Sequence, residues 1–491
     1  TYTLTASVEN QTWTNATQDI TINGSDDTGG SGDEGEGDDG DDSTSPTYTE
    51  ITEDISSDTI WTKENGPYVI NSEIFVSEGA VLYINEGVIV KFGSGGSLVV
   101  EGKIEAQGIE TDKIYFTSLQ DDEVGGDTNN DGMDTYPAVG DWGYILVNSL
   151  SEKAVFNNVV QRYSNSGLVF YYGSVVELNN FDSDNIITSL SAQGELSNIN
   201  ASGLELYDSS DISVTDSNFR NDDKMTISVY SNSLLNIINS QIEGSGHYVV
   251  NIVGSSMAMF DNVSIYANNL NGIAVSVYGE SALDFNNGIV ESIGSGFEVF
   301  NKSILDINNS DLSCGNNGVS VYLDSIVEFL GGSVSAFYNG FELYSEADAN
   351  IEGVKISDAL NAGVVAYNNI SSTIDITKSE ISDNEYGFIV YGTNFSAYEN
   401  SIHDNFLFGA MTYLDSDIDF KSNYWGDKTG PTHLSNASGL GDAISDHILY
   451  TPFLEYDPLA EKERNPVILI PGITGTYLYK DYGDKEEIWP N

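Results

Sequence analysis

The feature that most constrains this chain is an internal repeat of about 22 residues, which occupies most of its length. Each repeat contains a short run of alternating apolar residues, and the runs can be aligned on a central member. The aligned residues are Val214, Ile237, Phe260, Phe285, Ile307, Phe329, Ile351, Ile376, Tyr398 and Phe420. Successive members are 23, 23, 25, 22, 22, 22, 25, 22 and 22 residues apart. A unit this short cannot bury its own apolar face, so neighbouring repeats must stack on one another.

The composition of the repeats is typical of short strands joined by turns. Gly, Asn, Ser and Asp are abundant, and the apolar runs are short and rich in β-branched and aromatic residues. The leucine spacing of leucine-rich repeats is missing. The repeat therefore predicts an all-β fold, a parallel β-helix (a solenoid) over residues 51–458 with one coil per repeat.

Pairs of asparagines recur near the predicted turns. Asparagine tolerates the left-handed backbone conformation, and stacked amides can hydrogen-bond from coil to coil. We therefore expect these residues to be structural. The pairs are Asn179-Asn180, Asn286-Asn287, Asn308-Asn309 and Asn316-Asn317.

The charge of the chain restricts its partners. With 76 acidic and 17 basic side chains, the formal net charge is −59. Such a surface repels phosphate backbones and anionic lipids, so we expect neither nucleic acid nor an anionic membrane as a partner. It attracts divalent cations, and a salty or calcium-rich exterior would screen its self-repulsion. The charge thus favours a secreted or cell-surface protein.

Cysteine and hydropathy patterns exclude further classes. Cys314 is the only cysteine, so the chain forms neither an internal disulfide nor a multi-cysteine metal site. No apolar run is long enough to span a bilayer, and no signal peptide is visible. The sequence predicts no transmembrane segment and leaves the oligomeric state open.

Two segments of different composition precede the repeats. Residues 1–24 alternate apolar and polar residues as a β-hairpin does, and they resemble the last strands of a bacterial immunoglobulin-like module. Residues 25–50 combine Gly, Ser and carboxylates with almost no apolar residue. That composition predicts an extended acidic linker.

A second strand of each repeat ends on an aromatic residue. In the run that begins at Gly340, alternation buries Phe341 and Leu343. The residues that alternate with them, Glu342 and Tyr344, then face outward. One interpretation is a carbohydrate-binding track, because each ring offers an apolar face and a hydroxyl; the other is a stacked ladder that stabilises the sheet. The proposed ligand ladder comprises Tyr278, Tyr322, Tyr344, Tyr367, Tyr391 and Tyr413, and the wider series adds Tyr207, Tyr230 and Phe300.

An acidic segment at residues 121–143 interrupts the repeats. Its run DTNNDG, which begins at Asp127, reproduces the first half of an EF-hand-type loop, where alternate oxygen ligands converge on one hard cation. Position twelve of such a loop falls on Ala138, so the bidentate Glu is missing and other carboxylates of the segment would complete the shell. We predict a structural Ca²⁺ site here, with a simple acidic turn as the alternative. The expected ligands are Asp127, Asn129, Asp131, Met133 and Asp134.

Both ends of the repeat region resemble known proteins. Right-handed β-helix surface proteins of bacteria and archaea open with coils similar to residues 61–108 (WTKENG…KIEAQG), and they close with a cap similar to residues 422–458 (SNYWGDKTGP…FLEYDP). The resemblance implies a right-handed parallel β-helix. It implies no particular activity, because this fold carries adhesins, lyases, hydrolases and inert stalks alike.

The last segment, residues 459–491, differs in kind. Its run NPVILIPGITGT, from Asn465 onward, resembles the start of an α/β-hydrolase of the lecithin:cholesterol acyltransferase and lipase group. The resemblance implies an oxyanion loop that uses the backbone N–H of Ile473, with Gly472 allowing close approach. The chain contains no G-x-S-x-G nucleophile elbow, so its catalytic set is incomplete. We expect the hydrolase domain to continue beyond Asn491; the alternative is a coincidental apolar strand and turn.

The repeats themselves offer few catalytic groups. Enzymes that cleave uronate polysaccharides need clustered carboxylates, often with Arg, Lys or calcium. The best local cluster, Asp222 to Lys224 after Arg220, and the best single base, His247, match no recognised motif. None of the four histidines has the spacing of a metal site.

These observations favour an extracellular or cell-surface β-helix that acts as a scaffold or binding module. Its expected partner is a polysaccharide or a cell-surface glycan, and it would position a C-terminal serine-hydrolase-like domain. One alternative is a polysaccharide lyase or glycoside hydrolase that acts on the β-helix face; another is an esterase with the helix as a spacer. A groove that gathers three or more carboxylates or a basic residue would favour catalysis, whereas an unbroken tyrosine ladder would favour binding.

Overall fold

A computed structural model describes residues 48–149, 152–344, 346–367 and 372–460, together with the backbone of two short strands near the C-terminus. In this part of the chain the fold is an all-β parallel solenoid of about 17 coils of about 22 residues, which confirms the predicted fold class. It contains one 3-10 helix, Lys63–Asn65, and no α-helix. The predicted immunoglobulin-like segment and nearly all of the predicted linker lie outside the described residues.

The coils build two parallel sheets, which we call sheet 1 and sheet 2. Sheet 1 has 15 strands, one from each successive coil. They are Glu73–Val76, Ser97–Val100, Ile145–Val147, Leu168–Tyr171, Ile186–Leu190, Gly203–Tyr207, Ile227–Val229, Tyr248–Val253, Ile273–Tyr278, Ser295–Phe300, Val319–Val321, Asn339–Leu343, Ala362–Ala366, Tyr386–Val390 and Phe408–Thr412.

Sheet 2 has 27 strands and bends once in each coil, so that two ladders of strands lie on either side of the bend. Strands before the bend are Thr59–Trp61, Val81–Asn85, Lys103–Gln107, Asp211–Thr215, Leu234–Ile238, Met257–Asp261, Ala282–Asn286, Ile374–Thr377, Phe395–Tyr398, Ile418–Asp419 and Ile448–Leu449. Strands after it are Thr49–Ile51, Tyr68–Ile70, Ile89–Phe92, Ile114–Ser118, Asn218–Asn221, Gln241–Gly244, Ser264–Ala267, Ile289–Ser292, Glu380–Ser382 and Ser401–His403. Strands that run through it are Lys153–Gln161, Val175–Ser183, Gln193–Ala201, Ile304–Cys314, Ile326–Ala336 and Asp348–Ser357.

Two further pairs of short strands lie outside these sheets. Pro431–Thr432 pairs with Gly441–Ala443 in parallel, and Leu478–Lys480 pairs with Glu486–Trp489 antiparallel.

From the strand Lys153–Gln161 onward, one residue with positive φ makes the bend of sheet 2 in each successive coil as far as Ser422. The bend residues have φ between 49° and 71°, a region that Asn, Asp and Gly occupy most readily. Their amides also connect coils: Asn262 Nδ2 donates to Asn239 Oδ1 at 2.9 Å, and Asn180 Nδ2 donates to Asn158 Oδ1 at 2.6 Å. The bend residues are Asn158, Asn180, Asn198, Asp216, Asn239, Asn262, Asn287, Asn309, Gly331, Gly353, Lys378, Glu399 and Ser422.

A buried row of serines closes the turn that follows sheet 1. From Ser233 to Ser325, each hydroxyl accepts the backbone N–H of the serine one coil earlier, at 3.2 or 3.3 Å. From Ser210 to Ser303, each hydroxyl also donates to the carbonyl oxygen three residues before it, so the turn is pinned within and between coils. The row thus supplies hydrogen-bond partners to backbone groups that are buried in the turn. The row is Ser210, Ser233, Ser256, Ser281, Ser303 and Ser325.

The strand register confirms the predicted repeat with one correction. From Val214 to Ile376, each aligned apolar residue pairs with the next one along the solenoid. Ile376, however, pairs with Ala397, and the predicted Tyr398 pairs with Thr377 on the outer face. The prediction was one residue off because a large exposed ring follows a small buried methyl group, and the ring dominates the apolar pattern.

Candidate binding face

The aromatic series of the sequence forms one column at the margin of sheet 1, which we call the tyrosine column. Register pairs Val253 with Tyr278 and Tyr278 with Phe300. Beyond Phe300, the next four tyrosines each donate their backbone N–H to the preceding sheet 1 strand, and Tyr413 follows Thr412, which pairs with Val390. The column is Tyr207, Tyr230, Val253, Tyr278, Phe300, Tyr322, Tyr344, Tyr367, Tyr391 and Tyr413, so all six predicted ladder residues lie in it.

The rings of the tyrosine column stack on one another along the solenoid. Ring centroids are 4.3 Å apart for Tyr322 and Tyr344, 5.3 Å for Tyr344 and Tyr367, 4.9 Å for Tyr367 and Tyr391, and 5.3 Å for Tyr391 and Tyr413. Interplanar angles of 6° to 22° turn each face towards its neighbour. A ligand along the column would therefore contact ring edges and phenol hydroxyls. The sequence suggested that sugars stack on the ring faces, but the neighbouring rings cover most of that surface.

Four successive tyrosines of the column have hydroxyls with a raised pKa. Burial is the largest cause that raises the pKa of Tyr322, Tyr367 and Tyr391, and it raises the pKa of Tyr344 further with the help of the Glu342 carboxylate. Neutral phenols both donate and accept hydrogen bonds, so the column presents a row of such groups at about the strand spacing of ~4.8 Å.

A second column of outward residues runs beside the first, which we call the polar column. The prediction that Phe341 and Leu343 are buried holds, since both are 0% exposed, and Glu342 faces outward between them. The last three coils replace the polar residues with apolar ones. The polar column is Glu205, Ser228, Asn251, Ser276, Glu298, Ser320 and Glu342, followed by Val365, Ile389 and Met411.

Glu298 and Glu342 stand in different environments within the polar column. Burial raises the pKa of the Glu298 carboxyl, the charge of Glu342 raises it further, and the nearby His247 opposes both. Glu342 instead accepts a hydrogen bond from Asn317 Nδ2 at 2.6 Å. The Oδ1 atom of Asn317 is enclosed and has no hydrogen-bond partner among the described residues. Asn317 was expected to be a structural turn residue, and its place at this face was not foreseen.

The charge of sheet 1 has one sign. Its 15 strands contain Glu73, Glu205, Glu298 and Glu342 and not one Lys or Arg. Three of these carboxylates share the polar column, with His247 near Glu298, and the strands lack the cationic side chains that bind uronates.

The opposite margin of sheet 1 becomes aromatic in the last coils. Tyr386 and Phe408 are paired neighbours with parallel rings 6.1 Å apart. Tyr386 packs on a small apolar cluster of Ala362, Val365 and Ile389, which is separate from the interior core. Sequence reasoning missed this second aromatic margin because it contains two rings, too few to show a period.

The acidic segment forms a loop in which carboxylates converge. One ligand oxygen from each of Asp122, Asp127 and Asp131 lies within 4.8 Å of the others. Asp127 also accepts the backbone N–H groups of Asp131 at 3.1 Å and Gly132 at 2.9 Å, as in a cation-binding loop. Enclosed oxygens without a hydrogen-bond partner among the described residues are Asp122 Oδ1, Asn129 Oδ1 and Asp131 Oδ1.

Three of the five expected ligands, Asp127, Asn129 and Asp131, lie close together in this loop. The side chains of Met133 and Asp134 are exposed. The sequence analysis expected other carboxylates of the segment to complete the shell, and Asp122 is one that lies beside Asp127 and Asp131. Its pKa is raised, first by burial and then by Asp127 and Asp131.

A buried lysine lies under the acidic loop. Lys91 is 0% exposed, and its Nζ donates to the carbonyl oxygens of Asp121 at 2.8 Å and Gly126 at 2.5 Å. Burial lowers its pKa, and the charges of Asp121, Asp122 and Asp127 oppose that shift. Its ammonium group therefore supplies part of the positive charge that the loop requires. The sequence offered no signal for this pairing, since 30 residues separate Lys91 from Asp121.

Two other predicted chemical groups are the oxyanion loop and the charge cluster around Arg220. Gly472 and Ile473 of the expected oxyanion loop lie outside the described residues. Arg220 is exposed and lies near the carboxylates of Asp222 and Glu243 at 3.6 and 3.5 Å, in keeping with a solvated turn. No helix in the described part of the chain is long and apolar enough to cross a bilayer.

Comparison with known proteins agrees with the fold. A family model described as the right handed beta helix region matches residues 195–334. No curated protein matches the chain significantly. No solved structure does so either. The matched region and the parallel coils together support a right-handed parallel β-helix fold.

Proposed function

We propose that this β-helix is an extracellular scaffold whose sheet 1 binds an extended polysaccharide across its outer face. The observation that carries the proposal is the unbroken run of aromatic residues from Tyr278 to Tyr413 beside the polar column. An extracellular location is supported by the net charge of −59, which a salty exterior would screen.

The chemistry of the face suits a sugar polymer. Phenol hydroxyls donate and accept hydrogen bonds, carboxylates accept two at once, and the partly exposed Asn251 adds a further group. Parallel coils repeat these groups in straight rows, so a polymer of repeating units can make the same contacts many times. Many weak contacts of this kind add up to useful affinity.

Cleavage of the polymer has less support. The polar column contains carboxylates, but the sheet 1 strands carry no Lys or Arg that could hold a uronate for a lyase reaction. Binding therefore explains the face better than a lyase or hydrolase does. Incubation with bound polysaccharide and measurement of new reducing ends would reveal cleavage.

A triple substitution tests the proposal. Tyr344→Phe, Tyr367→Phe and Tyr391→Phe together keep the stacked rings and remove three hydroxyls. Each lost hydrogen bond costs about 0.5–1.5 kcal/mol, so affinity should fall about tenfold or more in calorimetric titration, with an unchanged melting temperature. Tyr398→Phe is the control, because Tyr398 is 46% exposed on sheet 2. Equal affinity of the triple variant and the control would refute the binding face.

The proposal includes a serine-hydrolase-like domain that the scaffold positions. Its support is the resemblance of the run from Asn465 to the oxyanion strand and loop of lipases and acyltransferases. The test is an assay of the full-length natural protein on short-chain and long-chain acyl esters. Activity that disappears when the Ser of a G-x-S-x-G elbow is changed to Ala would support it, and untouched esters would contradict it.

A further inference from the structure

Two carboxylates of the polar column are separated by one intervening strand, and neither has a Lys or Arg partner among the described residues. Glu298 and Glu342 pair with Ser320 on either side, so their backbones are about 9–10 Å apart. Neither belongs to any Lys or Arg ion pair within the described ranges. A half-buried carboxylate without a counter-charge is unfavourable, and a bound cation would relieve that cost.

We infer that the polysaccharide bound at sheet 1 carries protonated amino groups, which Glu298 and Glu342 bind. This inference rests on the proposed function and names its substrate class, an amino-sugar polymer with free amines. An ammonium group is a compact donor of three hydrogen bonds and has one positive charge.

The surroundings of the two carboxylates fit an ammonium group. Burial and the charge of Glu298 raise the pKa of Tyr248 and Tyr322, so both phenols stay neutral near the carboxyl and can accept a hydrogen bond from an ammonium group. Asn317 donates to Glu342 at 2.6 Å, and its enclosed Oδ1 has no hydrogen-bond partner among the described residues.

The same features disfavour other polymers. Uronates and sulfated sugars would bring negative charge to a sheet whose strands contain only negative charges. Like charges at this separation repel, and the desolvated site increases the repulsion. A neutral polymer would use the hydroxyls of the tyrosine column and leave the two carboxylates unpaired.

The experiment compares soluble β-1,4-linked N-acetylglucosamine oligomers of one length, fully acetylated or partly deacetylated, with oligogalacturonate as the anionic probe. Calorimetric titration should give at least about tenfold tighter binding of the deacetylated oligomer and no binding of the uronate. The double variant Glu298→Gln/Glu342→Gln should lose this preference. The control Glu110→Gln/Glu291→Gln changes net charge equally at exposed positions away from sheet 1 and should retain it.

The outcomes separate the two proposals. Equal binding of acetylated and deacetylated oligomers overturns the amine inference and leaves the binding face intact. If the control Glu110→Gln/Glu291→Gln loses the preference equally, the preference comes from the net charge of the whole chain, and the inference is also overturned. If no oligomer or longer polysaccharide binds the wild-type protein, the binding face itself fails.

Discussion

At the scale of single residues, buried polar groups set the geometry of the outer face. Ser281 accepts the N–H of Ser256 at 3.2 Å and donates to the carbonyl of Tyr278 at 2.9 Å. It thus connects the turn after one member of the tyrosine column to the preceding coil. An inner hydroxyl of this kind positions an outer ring although it never contacts a ligand.

Ser281→Ala should destabilise the protein measurably. The substitution leaves the buried N–H of Ser256 without a partner and removes one of the two hydrogen bonds to the Tyr278 carbonyl, which costs about 1–3 kcal/mol. Urea unfolding followed by circular dichroism measures the change in unfolding free energy. Ser416→Ala, at an exposed turn, is the control and should have no effect; an equally small effect at Ser281 would contradict the role of the serine row.

Glu298→Gln should raise the melting temperature at neutral pH. The carboxyl has a raised pKa in the folded protein because of burial, so ionisation costs stability above that pKa. This cost disappears as pH falls below the unfolded pKa of about 4.3, where both states are protonated. The stabilisation by Gln should therefore be largest near pH 7 and vanish in acid. Melting curves from pH 3.5 to 7.5 test this, and a pH-independent difference would contradict it.

At the scale of elements, the acidic loop is the clearest case of a local segment whose charges need to be balanced. Its carboxylates gather over buried Lys91, whose single charge offsets part of theirs. A divalent ion at Asp122, Asp127 and Asp131 would offset the rest and supply a partner for the enclosed oxygens. The structural calcium site remains our proposal for this loop.

Calcium should stabilise the protein through this loop. Extracellular calcium sites bind with dissociation constants of about 0.1–1 mM, so roughly 10 mM calcium should add about 1–3 kcal/mol. Melting temperature in calcium against chelator measures the gain. Asp127→Asn/Asp131→Asn should abolish it, whereas an equal gain in that variant would show general screening of the acidic surface.

The elements also show what a sequence can predict. Period and turn chemistry predicted the coils and their left-handed Asn bends, because both depend on local residue preferences. The alignment of apolar residues chose Tyr398 instead of Ala397, because the large ring dominates the apolar pattern. Contacts between Asn317 and Glu342, or between Lys91 and Asp121, join separate coils, and no local pattern encodes them. The stacking of the tyrosine rings likewise depends on side-chain angles that alternation does not determine.

At the scale of the whole molecule, each coil contacts mainly its two neighbours. Stability in such a stack is a sum of local terms, so damage stays near its origin. Buried tryptophans lie towards both ends: Trp61 stacks on Tyr68 at 4.8 Å, and Trp425 lies 6.1 Å from Phe420. They allow the two ends to be perturbed separately.

Trp425→Ala should loosen the last coils and leave the first ones unchanged. Truncating a buried Trp costs about 3–5 kcal/mol and exposes the apolar edge of a coil. Hydrogen exchange should accelerate in Phe408–Thr412 but not in Val81–Asn85, and light scattering should show aggregation. Trp61→Ala should have the reverse effect, with faster exchange in Val81–Asn85 and unchanged exchange in Phe408–Thr412. Uniform acceleration in either variant would mean that the stack unfolds as one unit.

The stacked tyrosines give the protein an optical property. Phenol rings held nearly parallel at 4.3–5.3 Å couple their near-ultraviolet transitions, and the coupling depends steeply on spacing and angle. The outer margin of sheet 1 is therefore an internal chromophore whose circular dichroism reports any ligand that shifts the rings. Binding at this face can be followed by light absorption alone, with no label attached to the protein or to its partner.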